Sequence, residues 1–300
     1  MPDTGWLWIV FTLLAAAGQT IRNAMQRELT ATLGTAGATH VRFLFGFPFA
    51  VLFLAGLVLV TGASLPSPPP VFWPWVLLGM GAQIVATALM LMAMGERSFV
   101  VTIAYIKTEP VQVALFGLVF LGDRLTIGMV AAILIATSGV IVMSLKPGGA
   151  AGNDSWRPML LGLASGAAFA LSAIGYRGGI LSLGLPDFVM AATFTLTAGL
   201  LMQAVLLSGY LMLRSPDVMR AIVRAWRPSL FAGFMGATAS QFWFLAFALA
   251  TAASVRTLAL VEVLFAQAIS SVVFGHKTTA REGFGIVLIV IGVGLLIWAH

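Results

Sequence analysis

Apolar residues run along the chain in long blocks, and polar residues gather in short breaks between them. About 20 mostly apolar residues suffice to cross a bilayer as a helix. Ten blocks meet that length approximately: Trp6–Asn23, Thr39–Val60, Phe72–Met94, Phe99–Leu121, Thr126–Leu145, Met159–Tyr176, Phe188–Leu211, Leu230–Leu249, Ala253–Phe274 and Gly283–Ala299. The breaks are punctuated as turns. The run Leu65-Pro66-Ser67-Pro68-Pro69-Pro70 cannot continue a helix. Gly95-Glu96-Arg97-Ser98 and Gly122-Asp123-Arg124 end the third and fourth blocks. Arg214 to Arg227 is the longest polar excursion, and a short amphipathic helix on the membrane surface is expected there.

The pattern repeats. Shifted by 153 positions, Val101–Leu145 lies without a gap on Ser254–Trp298. Glu109 then falls on Glu262, Gly122 on Gly275, Thr126 on Thr279, and Gly139 on Gly292. Overall identity is low, but these rare residues keep register, which marks an internal duplication. The expected organisation is a five-span repeat over residues 1–145, a linker over 146–158 and a second five-span repeat over 159–300. Five spans are odd, so the second copy enters from the opposite side. The expected fold class is therefore all-α integral membrane, ten transmembrane helices as two inverted five-helix repeats, an arrangement found in secondary transporters.

Composition agrees with lipid as the solvent. The chain is 60% hydrophobic and 9% charged, with a mean hydropathy of +1.03, against about 25% charged in soluble domains. The net charge of +6 forms no basic stripe, so no nucleic-acid partner is expected. Absent cysteines exclude disulfides and thiolate metal sites. The first block follows Asp3 rather than a basic segment and reads as a span, not a cleaved leader. Twelve Lys and Arg fall on the side of the odd-to-even loops and four on the other, which puts both termini outside.

The run Pro110, Leu121-Gly122-Asp123-Arg124-Leu125-Thr126 and Ser138-Gly139-Val140 resembles the repeat unit of the drug/metabolite transporter superfamily, in its EamA-like branch. Asp123 stands where that family usually has Glu, the second copy reads Phe274-Gly275-His276-Lys277-Thr278-Thr279, and Val263 replaces the proline. The resemblance implies a multi-pass carrier of the bacterial inner membrane, monomeric or homodimeric among its lipids, that exports small metabolites by alternating access. Amino acids, aromatic or hydrophobic ones included, are the expected cargo. The alternatives are another small solute or drug, or a channel. The resemblance also implies a central cavity lined by spans one, three, four, six, eight and nine.

Polar groups inside a span are costly, so each requires a reason. Thr102, Tyr105, Glu109 and Gln112 share one face of the fourth span, with Lys107 off that face. They are candidate cavity-lining residues, as are Gln19, Gln83, Gln241 and Trp243. Glu109 and Glu262 are candidates for coupling or for an ion pair with Arg256, and Pro110 is the candidate hinge. Arg22, Asn23 and Gln26 fall at a block's end and read as a solvated terminus. Seven tryptophans, Trp8 among them, stand near block ends as an interfacial belt. The three histidines make no zinc pattern, and no nucleophile elbow, phosphate loop or dinucleotide fingerprint occurs. No enzyme activity, cofactor or metal is expected.

Overall fold

A computed structural model describes residues 5–96, 105–144, 156–264, 267 and 279–299. Every regular element among them is helical. In order they are α1 (Leu7–Leu44), α2 (Gly46–Thr61), α3 (Phe72–Glu96), α4 (Glu109–Phe116, continued as a π-turn over Gly117–Leu121), α5 (Ile127–Ser144), α6 (Arg157–Ser182), α7 (Phe188–Arg214), α8 (Pro216–Arg224), α9 (Trp226–Leu249), α10 (Ala252–Leu258, tightening into a 3-10 turn over Ala259–Val261) and α11 (Ala280–Ala299). Six helical stretches among the described residues are long and apolar enough to cross a membrane, and Glu109–Leu121 and Ile127–Met143 are shorter apolar helices. The described residues have the all-helical, apolar character of a membrane protein.

The first two blocks depart most from expectation. Instead of a polar loop after Asn23, α1 runs on to Leu44, interrupted only at Gly34. Gln26, Leu29 and Leu33 are buried there, so spacings of three and four keep one face of the extension packed. Gly34 adopts φ 66°, a left-handed conformation that only glycine takes readily, and the chain turns there. Pro48 lacks an N–H for the Leu44 carbonyl, which accounts for the break between α1 and α2. The expected surface helix is α8: Ile222 is buried, while Arg220 and Asp217 pair at 2.7 Å on its exposed side.

Three helix pairs carry the packing: α1 with α9, α3 with α6, and α5 with α11. Small residues bring each pair together. A Cβ on Gly18 would lie 3.1 Å from the Ala239 Cβ, and one on Gly175 would lie 2.4 Å from the Gly79 nitrogen. In the α5–α11 seam, a Cβ on Gly139 would strike the Gly285 oxygen and Ile289, and one on Gly292 would strike Ala132 and Ala136. Adding 153 to 132, 136 and 139 gives 285, 289 and 292, so the two contacts exchange under the sequence shift.

Local chemistry explains the shared turn motif. Gly122 ends the π-turn in a left-handed conformation at φ 66°, and the Asp123 N–H closes on the Gly117 carbonyl at 3.1 Å. Asp123 then accepts from Arg177 Nη1 at 2.7 Å, tying this corner to α6. Thr126 accepts the Met129 N–H, and Thr279 accepts the Glu282 N–H while Glu282 takes the Thr279 N–H at 2.8 Å. The second is a capping box. The corner at Gly275-His276-Lys277 lies outside the described residues. Trp8 is 2% exposed and belongs to the core rather than to an interfacial belt.

Candidate functional site

The fourth and ninth spans are not continuous helices. Before α4 the chain makes a turn at Lys107–Thr108, and Pro110, which has no N–H for the Ile106 carbonyl, stands in the first turn of the helix that follows. That carbonyl instead faces Gly166 on α6. The 3-10 turn at Ala259–Val261 lies at the matching register, shifted by 153, although Val263 stands where Pro110 does. Each break immediately precedes a glutamate.

Those glutamates pair crosswise. Lys107 pairs with Glu262, and Arg256 Nε lies 3.0 Å from Glu109 Oε1. The second is a charge contact rather than an aligned hydrogen bond. All four side chains are at most 9% exposed. Of the two glutamates that were candidates for an ion pair with Arg256, it is Glu109 that forms one, and not Glu262 on the same span. Six residues along an irregular helix turn these groups apart, and each instead meets the opposite span. Lys107, expected off the polar face, reaches Glu262 because the turn at 107–108 rotates it out of helical phase.

Two adjoining cavities, each with room for about one water molecule (about 10 Å³), lie beside these pairs. Gln19, Phe169 and Arg256 line both. One cavity has a largely aromatic wall of Tyr176, Trp243, Phe244 and Phe247, closed by Gln83 and Arg42. Arg256 stacks 4.3 Å above the Trp243 ring, whose Nε1 donates to Gln19 Oε1 at 3.1 Å. Across the cavity, Tyr176 donates to Gln83 Oε1 at 3.3 Å, and Gln203 donates to the same oxygen at 3.0 Å. The other cavity holds the ion pairs together with Arg22 and Asn23.

Of the residues expected to line a cavity, Gln19, Gln83, Glu109 and Trp243 do so, with Arg256 and Glu262. Three others stand elsewhere. Tyr105, on the other side of the break from Glu109, packs its Cβ against Gly162 on α6, and Gln112, one turn after Glu109 in α4, lies against Gly166. Gln241 donates to Thr193 on α7 at 2.8 Å; two residues from Trp243 on a helix, it points to a different side. Thr102 lies outside the described residues. Pro110 occupies the first turn of α4, where its missing N–H goes unneeded.

Arg22 and Arg42 were not among the expected site residues. Arg22 is 1% exposed and Arg42 3%, and their stems pack on the same glycine, Gly236. Arg22, Asn23 and Gln26 are thus buried rather than solvated: α1 continues past them, and α9 covers them. Arginines at a block's edge resemble topology-setting loop charges, and the one signal against that reading was the spacing of Arg22, Asn23 and Gln26 with Gln19 on one helical face.

No family model matches the chain, and no curated protein matches it. Among solved structures, one crystal structure superposes with a TM-score of 0.70 over 98% of this chain and 96% of that one, at 15% identity. That likeness is one of fold.

Proposed function

We propose that the chain is a secondary carrier of small metabolites across a bacterial inner membrane, built from two inverted five-span repeats and working by alternating access. The observation that carries the reading is a buried, charged cavity walled by helices from both halves of the chain, beside helix breaks at matching register. The exchange of contacts along α5–α11 supports the repeat, as does the correspondence of α1–α9 with α6–α3. Inverted repeats allow two conformations of similar energy, each opening the site to one side. Irregular backbone at membrane depth is tolerated where it lines such a site. Amino acids are the cargo implied by resemblance to the EamA-like exporters.

Saturable counterflow tests the carrier reading. Proteoliposomes preloaded with unlabelled solute take up labelled solute faster than empty ones if the protein is a carrier. A screen of amino acids and small organic acids, with and without a pH gradient, is expected to find at least one trans-stimulated substrate. Uptake that rises linearly with concentration and ignores the preload indicates a channel, and no flux with any solute removes both readings.

A further inference from the structure

The walls of the two cavities hold four cations, Arg22, Arg42, Lys107 and Arg256, and two carboxylates, Glu109 and Glu262. Lys107 and Arg256 are matched by the glutamates, which leaves two positive charges. Arg22 donates to Asn23 Oδ1 at 3.2 and 2.7 Å, and its Nη1 meets no acceptor. Arg42 donates to Thr87 and Ser240 hydroxyls at 3.3 and 3.5 Å, and its Nε meets none. Among the described residues, neither has a carboxylate within ion-pair distance. An arginine does not shed its proton inside a protein, so these charges persist. Buried cations with unused donors are costly unless something else supplies the counter-charge.

We propose that the counter-charge is the solute: an organic anion whose carboxylate is drawn to the free N–H groups of Arg22 and Arg42 and whose flat apolar body lies against Trp243, Phe244 and Phe247. The guanidinium fork matches a carboxylate, and the aromatic wall adjoins Arg42 in the same cavity, which widens from the single-water space it encloses here (about 10 Å³) when the solute enters. An amino acid fits less well, because its ammonium would enter walls that already carry two excess cations and whose glutamates are engaged. The binding half of this proposal stands alone, and its transport half rests on the carrier reading.

Phenylacetate, phenylacetamide, phenylalanine and phenethylamine share a benzyl group and differ in the charge of the head. Binding to the detergent-purified full chain is measured by titration calorimetry, and flux by counterflow in proteoliposomes. Phenylacetate is expected to bind at least about tenfold tighter than the amide or the amine, with phenylalanine weaker than phenylacetate. Arg42→Gln and Arg22→Gln are each expected to erase the preference for acid over amide without lowering the thermal midpoint of the ligand-free protein, since removing an unmatched buried charge offsets the lost bonds to Asn23, Thr87 and Ser240. A structural role for either arginine predicts a lowered midpoint with the preference intact. Amide or amine binding as tightly as the acid in the unaltered chain overturns the proposal. Acid binding without counterflow keeps the anion site and removes the carrier. Counterflow of the amide or amine in place of the acid keeps the carrier and removes the anion site, and silence in both assays removes both.

Discussion

At the residue scale, the crossed ion pairs join α4 to the ninth span through Glu109 and Glu262. Each carboxylate is buried beside one cation, so losing one member strands the other. Glu262→Gln, which leaves Lys107 unmatched, is expected to cost about 3–5 kcal/mol of stability. Lys107→Met added to Glu262→Gln is expected to recover most of it, read by thermal midpoints in detergent. Equal midpoints for the single variant and the unaltered protein contradict the pairing. The two glutamates could be found in the sequence because a mid-span carboxylate has few explanations and both copies keep it. Their partners could not. Lys107 reaches Glu262 only because the backbone leaves helical phase, and face arithmetic assumes that it does not. Arg22 and Arg42 were hidden for another reason: an arginine beside a block end has the same appearance whether the helix stops or runs on.

At the scale of elements, the breaks at Lys107–Thr108 and Ala259–Val261 share a register but only one has a nearby proline. The break at Ala259–Val261 forms with Val263 at the register of Pro110. Pro110→Ala, in the first turn of α4, is therefore expected to change stability by less than about 1 kcal/mol, again by thermal midpoint; a loss of several kcal/mol identifies the proline itself as the cause of the break. The α5–α11 seam is less forgiving. A side chain at Gly292 meets the Ala136 backbone and one at Gly139 meets the Gly285 oxygen, so Gly139→Val and Gly292→Val are each expected to destabilise by about 1–3 kcal/mol, with similar magnitudes because the contacts exchange between copies. Blocks three, six, seven, eight and ten were legible as helices, since their length and apolar content leave no other choice. The run through Ala24–Leu33 was not, because its polar residues resemble a loop and its burial depends on packing against other helices.

For the whole molecule, the contacts of the two halves correspond: α1 lies along α9 as α6 lies along α3, and α5 meets α11 on itself. The Gln19–Trp243 and Tyr176–Gln83 hydrogen bonds join those same two pairs, each linking an amide oxygen to an aromatic donor. Charge placement also changes. With Arg22 and Arg42 removed from twelve loop charges ten remain, and with Lys107 and Arg256 removed from four two remain, so the charge bias from which outside termini are expected is kept. The claim that the central cavity opens to either side can be measured directly, because the chain contains no cysteine. Ser172 lines the aromatic cavity and is 2% exposed. Ser172→Cys, reconstituted and treated with a membrane-impermeant thiol reagent from one side at a time, is expected to be labelled from both sides and protected from both by a bound substrate. Labelling from neither side, or from one side only whatever the substrate gradient, contradicts a carrier built around this cavity.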